Sequence, residues 1–572
     1  MIDILKKINF LITRKQRIGL LILMFLLFVG MILEIFGLGV LIPLISSLID
    51  PEFTLKNTSF EFLTDIMPNV EYQSNVIFFL LMIVIVYLLK SIYLVFLTYK
   101  QDLYLNYLAA FISNNLFYSY MGQTYVFHLN KNVSSLNKNI QVEMTYFYLY
   151  LKSLIIVFVE TALMISVLGF LIYLEPIGAF SIGLFYGLLS LTFFQFTKKK
   201  LKKWGILRER VDNQLSKIVL EGLGGIKDLK ILGRENYFLN HFAVKIFSRA
   251  KLNSNQETFS QIPRFYLELI SIIGLVCFII LLLYLGKDSN SLITVLGVFV
   301  AATFRLAPSI NRIITAIQSM KFFTPSVELV VSELKNFKKT NQKLLTDKKF
   351  ILQEKIEFKN VTFSHKERNY ILKKVNIQIP KNKAVGIIGE SGSGKSTLVD
   401  LIMGLQIPNE GEILIDNKSD IQISQNWRNN IGYVSQSIYL IDSSIKSNIA
   451  FGIPEELIDL KRIKEIVKKV RLEKLIGELK EGLDTNVGER GVQLSGGQRQ
   501  RIGIARALYH NPDILIFDEA TSALDTETEK EVMSSIYDLR KGKTIIIIAH
   551  RLSTLNKVDI IYKISNNKIK KV

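Results

Sequence analysis

Nine consecutive residues, Gly389–Thr397 (GESGSGKST), carry the spacing G-x-x-x-x-G-K-[ST]. Gly389, Gly392 and Gly394 let backbone N–H groups close around phosphate oxygens, with Glu390, Ser391 and Ser393 completing the loop. The run 395–397 opens a helix whose positive end faces the same anion. Lys395 can reach the outer phosphates, the Ser396 hydroxyl can ligate Mg²⁺, and Thr397 lies in the first helical turn. A chance glycine-rich turn is the competing reading. It is disfavoured by the flanks, because 384–388 (AVGII) reads as a buried strand and 398–403 continues a helix. Further along, 514–519 (ILIFDE) is a buried strand ending in two carboxylates. Asp518 is placed to hold Mg²⁺, and Glu519 to polarise an attacking water. Residues 494–498 (LSGGQ) precede a basic helix, so Ser495, Gly496, Gly497 and Gln498 make a second phosphate-binding surface. Gln436 and His550 each end a strand and reach toward the metal and the γ-phosphate respectively.

Positioning these groups takes a strand–loop–helix domain, and 351–572 reads as one. The preceding residues read differently. The chain has 572 residues and 49% hydrophobic content, with the long apolar runs crowded into 18–312. Spans are read at 18–46, 76–99, 149–174, 177–196, 262–286 and 292–314, each near or above the ~20 residues a bilayer requires. Lys6, Lys7, Arg14, Lys15 and Arg17 precede the first. Its length argues for a retained helix rather than a signal peptide. The single cysteine, Cys277, excludes an intramolecular disulfide.

A net charge of +20 invites a nucleic-acid reading, which the charge distribution rejects. Residues 198–257 hold fourteen Lys/Arg against six Asp/Glu, a net of +8. Residues 46–75 hold five acids and one lysine, a net of −4. That asymmetry is the positive-inside pattern of a membrane protein. It puts 99–148, 197–261 and 315–572 in the cytosol. Two cytosolic loops extend the helices and turn near 121–131 and 221–234, which read as short helices. Residues 59–67 of the outer loop form a surface amphipathic helix or a small self-packed loop. The fold class is six transmembrane α-helices in 1–314, a lysine-rich helical linker over 315–350, and an α/β P-loop domain over 351–572.

The ordered set GESGSGKST, Gln436, LSGGQ, ILIFDE, 522–525 (SALD) and His550 resembles the nucleotide-binding domain of ATP-binding-cassette transporters. Six spans with long cytosolic loops resemble the exporter branch, and 485–491 (TNVGERG) is similar to the segment that touches its coupling helices. The resemblance implies ATP and Mg²⁺ as ligands. It also implies a homodimer, with each ATP between Lys395 of one copy and Ser495 of the other. The family places an aromatic two residues after Phe363; here that residue is His365, so His365 or Tyr370 is left to stack on adenine.

Ionisable groups inside spans are functional suspects, because each costs roughly 2.5–3.5 kcal/mol on insertion scales. Lys90 and Arg305 lie at similar depth in the second and sixth spans. Arg312 is two turns beyond Arg305, while Arg264 and Lys152 enter from the cytosolic side. Together they would make a basic lining suited to phosphate. Interfacial anchoring is the alternative, with Glu34, Glu160 or Glu268 as neutralising partners. The runs 263–270 (PRFYLELI) and 304–315 (FRLAPSINRIIT) resemble bacterial flippases of polyprenyl-pyrophosphate-linked oligosaccharides used in protein glycosylation. An anionic, lipid-linked cargo in the bacterial cytoplasmic membrane is the expectation, with lipid A-like lipids or hydrophobic drugs as the alternative.

Overall fold

The computed structural model describes residues 6, 9–39, 72–174, 176–284, 289–337, 350–364, 370–419, 421, 424–519, 526–538, 542–549 and 555–572. The chain divides into two units, Met1–Gln123 with Asn130–Asn341, and Thr124–Leu129 with Gln342–Val572.

The first unit is built on six long helices: α1 (Arg14–Gly39), α2 (Tyr72–Met121), α4 (Val133–Leu174), α5 (Pro176–Gly224), α7 (Glu235–Tyr284) and α8 (Ser289–Phe337). Two short helices form the turns where loop tips are read from the sequence, α6 (Ile226–Leu232) within this unit and α3 (Tyr125–Asn130), most of which is counted with the second unit. Gly233 ends α6 in the left-handed region (φ 60°) and donates its N–H to the Leu229 carbonyl. The five long helices other than α1, of 42–50 residues, reach about 60–75 Å, twice the hydrocarbon thickness, so each of them continues well past a bilayer.

Among the described residues three segments are long and apolar enough to cross a membrane: Arg14–Glu34, Leu80–Met121 and Val133–Gly169. Only 6% of the α2 window is buried within the chain, leaving Leu88, Ile92 and Val95 to an apolar solvent. Of the six spans expected, the three on α1, α2 and α4 pass that test among the described residues. The other three spans fall on α5, α7 and α8, where many of the side chains lie outside the described residues. The outer-loop segment 59–67 lies outside them altogether. α8 runs unbroken through 315–337, the stretch read as linker, because Phe322, Phe323, Val327, Val330 and Val331 are buried there.

Past the apolar segments, the first unit packs around buried charge. Arg208 of α5 is fully buried, with its guanidinium 3.6 Å from the Tyr146 ring centroid and a hydrogen bond of 2.6 Å to the Ser326 hydroxyl. Glu143 lies 3.7 Å and Asp212 3.8 Å from Arg208. Lys138 pairs with Glu209 at 2.6 Å and with Glu143 at 3.2 Å, and Arg249 with Asp212 at 3.1 Å. Three cations face three carboxylates, so the cluster is neutral as a whole. Burial pushes the Arg208 guanidinium below its ordinary value and the Asp212 carboxyl above its own.

The second unit carries two sheets. A three-stranded antiparallel sheet has the order β2-β1-β4, with β1 (Lys355–Phe363), β2 (Leu372–Pro380) and β4 (Glu410–Ile415). A six-stranded sheet has the order β5-β6-β7-β3-β8-β9, from β3 (Ala384–Gly389), β5 (Ile431–Val434), β6 (Ile514–Asp518), β7 (Thr544–Ile548), β8 (Ile560–Ser565) and β9 (Lys568–Lys571). All its pairs are parallel except β8–β9. Strands β6 and β7 are buried at every position, as a sheet covered on both faces requires. Helices α9 (Lys395–Ile402), α10 (Gln425–Arg428), α11 (Ile445–Ile449), α12 (Leu460–Lys469), α13 (Glu473–Glu478), α14 (Gly496–Tyr509) and α15 (Thr526–Asp538) surround it.

Removing one member of the buried ion cluster strands the others. Arg208→Met is expected to destabilise the first unit by about 3–5 kcal/mol, read as a lower thermal midpoint of the purified chain. An unchanged midpoint would mean that the carboxylates are hydrated rather than buried.

Candidate functional site

In a parallel sheet the carboxyl ends of neighbouring strands share one edge, and ligands bind in the crevice outside it. Here β3 delivers the loop 389–394, β6 delivers Asp518 and Glu519, and β5 delivers Gln436 two residues past its end. Gly392 and Gly394 adopt φ values of 79° and 101°, open to glycine and strained for other residues. A Cβ at Gly394 would approach Ile371 Cγ2 to 2.8 Å. The loop then feeds α9, whose first N–H groups lack intrahelical acceptors.

Lys395 is 5% exposed and donates to the carbonyls of Gly389 (2.9 Å) and Glu390 (3.0 Å), which aims its ammonium across the loop. Its Nζ is 4.0 Å from Glu519 Oε1. Gln436 Nε2 donates to Glu519 Oε2 at 2.6 Å. Glu519 has a positive φ of 50°, uncommon for a residue with a Cβ, and its N–H donates to the Ile548 carbonyl of β7 at 3.1 Å. Strain of this kind persists only where the surroundings over-determine it, which is the condition of a working residue at a strand end. Asp518 is buried and accepts from the Tyr433 hydroxyl at 3.2 Å and from Ser396. Burial raises its carboxyl above the ordinary range, and the hydrogen bond from Tyr433 works against that rise.

Two observations fit a nucleotide triphosphate and its cation. The Ser393 hydroxyl is buried with no hydrogen-bond partner, and the cradle at Gly392 is open where a Cβ would stand. Ser396, Gln436 and Asp518 would hold Mg²⁺, which when bound neutralises charge on the outer phosphates. Glu519 would accept a hydrogen bond from the attacking water, while Lys395 offsets charge that grows on the γ-phosphate.

The structure therefore brings Lys395, Ser396, Gln436, Asp518 and Glu519 together. It does not join them to 495–498. Ser495 caps α14, accepting from the Gln498 N–H at 3.2 Å while the Gln498 side chain accepts from the Ser495 N–H at 2.8 Å. That cap orients the helix end, and Ser495 and Gly496 are exposed, with Gly497 half-buried. Tyr370 is exposed, with Lys373 Nζ 5.5 Å from its ring centroid. His365 and His550 lie outside the described residues.

Two residues were not singled out from sequence. Tyr433 is the exposed member of an alternating strand (Gly432 and Val434 are buried), and that alternation is the signal for it. Asp400 lies five residues after Lys395 on α9. Burial and the nearby Asp518 carboxylate push it up to about 6, against a hydrogen bond from Gln406. Tyr125, which belongs to this unit, lies close enough to Asp400 and Tyr433 to couple electrostatically to both.

In the first unit, Lys90 is paired with Glu34 at 2.5 Å and lies over the Tyr87 ring at 4.7 Å. Arg312 Nε pairs with Glu160 at 2.7 Å, and Lys152 with Asp102 at 3.0 Å. Those positive charges are offset within the chain and are not left over for a ligand. Arg264 is exposed and makes no ion pair with Glu268. Arg305 lies on α8, and its side chain is outside the described residues.

The family described as ABC transporter matches residues 372–522. The chain is 33% identical over 426 residues to the uncharacterized ABC transporter ATP-binding protein YwjA of Bacillus subtilis, covering 70% of this chain and 71% of that protein. It is 48% identical over 206 residues to the toxin RTX-I translocation ATP-binding protein of Actinobacillus pleuropneumoniae, which is 36% of this chain and 29% of that one. It is 47% identical over 210 residues to the leukotoxin translocation ATP-binding protein LktB of Mannheimia glucosida, again 29% of that protein's length. The solved structure of a bacterial Atm1-family ABC exporter with ATP bound superposes with a TM-score of 0.74 over 97% of this chain and 94% of that one, at 21% identity. The chain belongs to the ABC transporter family. Its fold is that of an ABC exporter half-transporter, with a helical membrane domain followed by the nucleotide domain.

Glu519→Gln keeps the Gln436 contact and removes the charge that polarises water. It is expected to leave ATP binding intact and to lower turnover by roughly 100–10,000-fold; hydrolysis near the wild-type rate would reassign that role. Asp400 gives a second expectation, with a sign. A carboxyl raised from 3.8 to about 6 in the fold favours the native state fully below the lower value and loses that contribution as pH rises through the upper one. Asp400→Asn should therefore raise the thermal midpoint of the metal-free chain at pH 7.5, with the gain fading by pH 4.5. A gain independent of pH would contradict it.

Proposed function

We propose that the chain is one half of a homodimeric, ATP-driven exporter in the bacterial cytoplasmic membrane. In this reading it moves a polyprenyl-pyrophosphate-linked oligosaccharide from the inner to the outer leaflet for protein glycosylation. The observation that carries the ATP-driven part is the convergence of Lys395, Gln436, Asp518 and Glu519 at one sheet edge. The dimer is supported by the exposed, capped start of α14 at Ser495, an anion-binding surface left without a phosphate loop of its own. Two copies placed head to tail would give each ATP a Lys395 from one and a Ser495 from the other. Contacts to the γ-phosphate would favour the closed pair, and hydrolysis would release it.

The cargo is argued from chemistry inside the membrane unit. Toxin and leukotoxin translocation are what the names of two relatives say of those proteins, and the similarity to them covers 36% of this chain. Arg264 of α7 is exposed and makes no ion pair among the described residues, Arg305 is placed at mid-depth of α8 by the sequence, and arginine grips phosphate in two-point fashion. Lys90 and Arg312 would join them only by exchanging Glu34 and Glu160 for the cargo. The same pairs favour a second reading, export of lipid A-like lipids or hydrophobic drugs, because a neutralised cavity suits a less charged cargo.

Reconstitution in liposomes separates these readings. Lipid-linked oligosaccharide should become accessible on the far leaflet only with hydrolysable ATP. Arg305→Ala should slow flipping by roughly 10–100-fold without weakening ATP binding. Undiminished flipping by that variant, together with drug-stimulated ATP hydrolysis, would favour the second reading.

A further inference from the structure

Beyond the apolar run of α5, Lys199, Lys202, Lys203, Ile206, Leu207 and Arg210 recur at steps of three and four, which places them on one helical face. With Lys321 of α8 they line a cleft of about 580 Å³. Five of these seven residues are cationic and none is acidic. The acids of the same stretch are committed elsewhere: Glu209 to Lys138 at 2.6 Å, and Asp212 to Arg249 at 3.1 Å. Among the described residues none of the five cations makes an ion pair. The walls are held close beside the cleft, because a Cβ on Gly205 would stand 2.2 Å from the Phe322 carbonyl oxygen. The cleft is therefore a shaped recess between two packed helices, with Ile206 and Leu207 among its lining residues.

Its depth identifies the environment. The apolar span read on this helix ends at 196. At 1.5 Å per residue, Lys199, Lys202 and Lys203 lie roughly 4–11 Å beyond the hydrocarbon edge, at headgroup level and just past it, while Arg210 lies about 21 Å beyond it, in the cytosol. Lysines clustered immediately cytosolic of a span attract anionic headgroups, and a recess of this kind between helices holds them.

We propose that this cleft docks the phosphate groups of a lipid headgroup in the cytosolic leaflet. Five unopposed charges suit a headgroup of two or more phosphate charges. Identifying that lipid as the cargo rests on the flippase reading above; the docking site itself does not.

The test uses the full chain in neutral detergent and measures affinity for three probes: a fifteen-carbon polyprenyl pyrophosphate, phosphatidylglycerol and inorganic pyrophosphate. The triple variant K199Q/K202Q/K203Q should bind polyprenyl pyrophosphate on the order of 100-fold more weakly. The corresponding triple arginine variant should stay near wild type, and both should keep basal ATP hydrolysis as a check on folding. Stronger binding of polyprenyl pyrophosphate than of phosphatidylglycerol supports a cargo dock. Equal binding supports a dock for bulk anionic lipid. Unchanged affinity in the glutamine variant, or equally tight binding of inorganic pyrophosphate, overturns the proposal. Failure to flip cargo while the charge-dependent binding persists would count against the exporter reading and leave the dock standing.

Discussion

The nucleotide site depends on one constraint, the shared edge of a parallel sheet. Hydrogen bonding between β3, β7, β6 and β5 sets their carboxyl ends side by side, so groups more than a hundred residues apart in sequence arrive within bonding distance. Lys395 comes from the loop after β3 and Glu519 from the end of β6, and their charged atoms stand 4.0 Å apart. The left-handed backbone at Glu519 is tolerated because an Ile548 carbonyl on one side and Gln436 on the other hold it in place. Register is what makes the chemistry possible: a slip of one residue would turn Asp518 to the opposite face.

That edge was largely legible in the sequence. Glycines at fixed spacing, a lysine, and two carboxylates closing an apolar run report backbone geometry directly, since each residue type is demanded by a local conformation. The turns at α3 and α6 were legible for the same reason. The pairing of the membrane-embedded charges was legible only in part, since Glu34 and Glu160 read as neutralising groups without the cation that each one meets. Nothing in the spacing of Lys90 or Arg312 says that Glu34 and Glu160, on other helices, meet them at 2.5 Å and 2.7 Å. Such pairing depends on how helices rotate against one another, which hydropathy does not encode. Asp400 and Tyr433 were missed because their roles arise from proximity to Asp518 rather than from a motif. The helix over 315–337 was read from the sequence, but its burial was not, because its lysines suggested a linker while its buried aromatic and valine positions decide the packing.

Charge is handled in three distinct ways along one chain. At Arg208 it is buried and cancelled by close carboxylates and aromatic faces, which makes a rigid joint where four helices meet. At Lys90 and Arg312 of the apolar helices it is paired with one glutamate each. Along the face from Lys199 to Arg210 it is left uncancelled from headgroup level into the cytosol. The +20 net charge is thus concentrated where it can act on a membrane surface rather than on a nucleic acid.

The account's central claim is that each ATP is shared between two copies of this chain. Fused tandem dimers test it most directly. Lys395→Ala in one copy and Ser495→Ala in the other leave one composite site whole, whereas both substitutions in the same copy spoil both sites. Measured ATP hydrolysis should therefore survive at a substantial fraction in the first arrangement and vanish in the second. The reverse result, activity with both substitutions in one copy and none when they are split, would mean that each copy completes its own site.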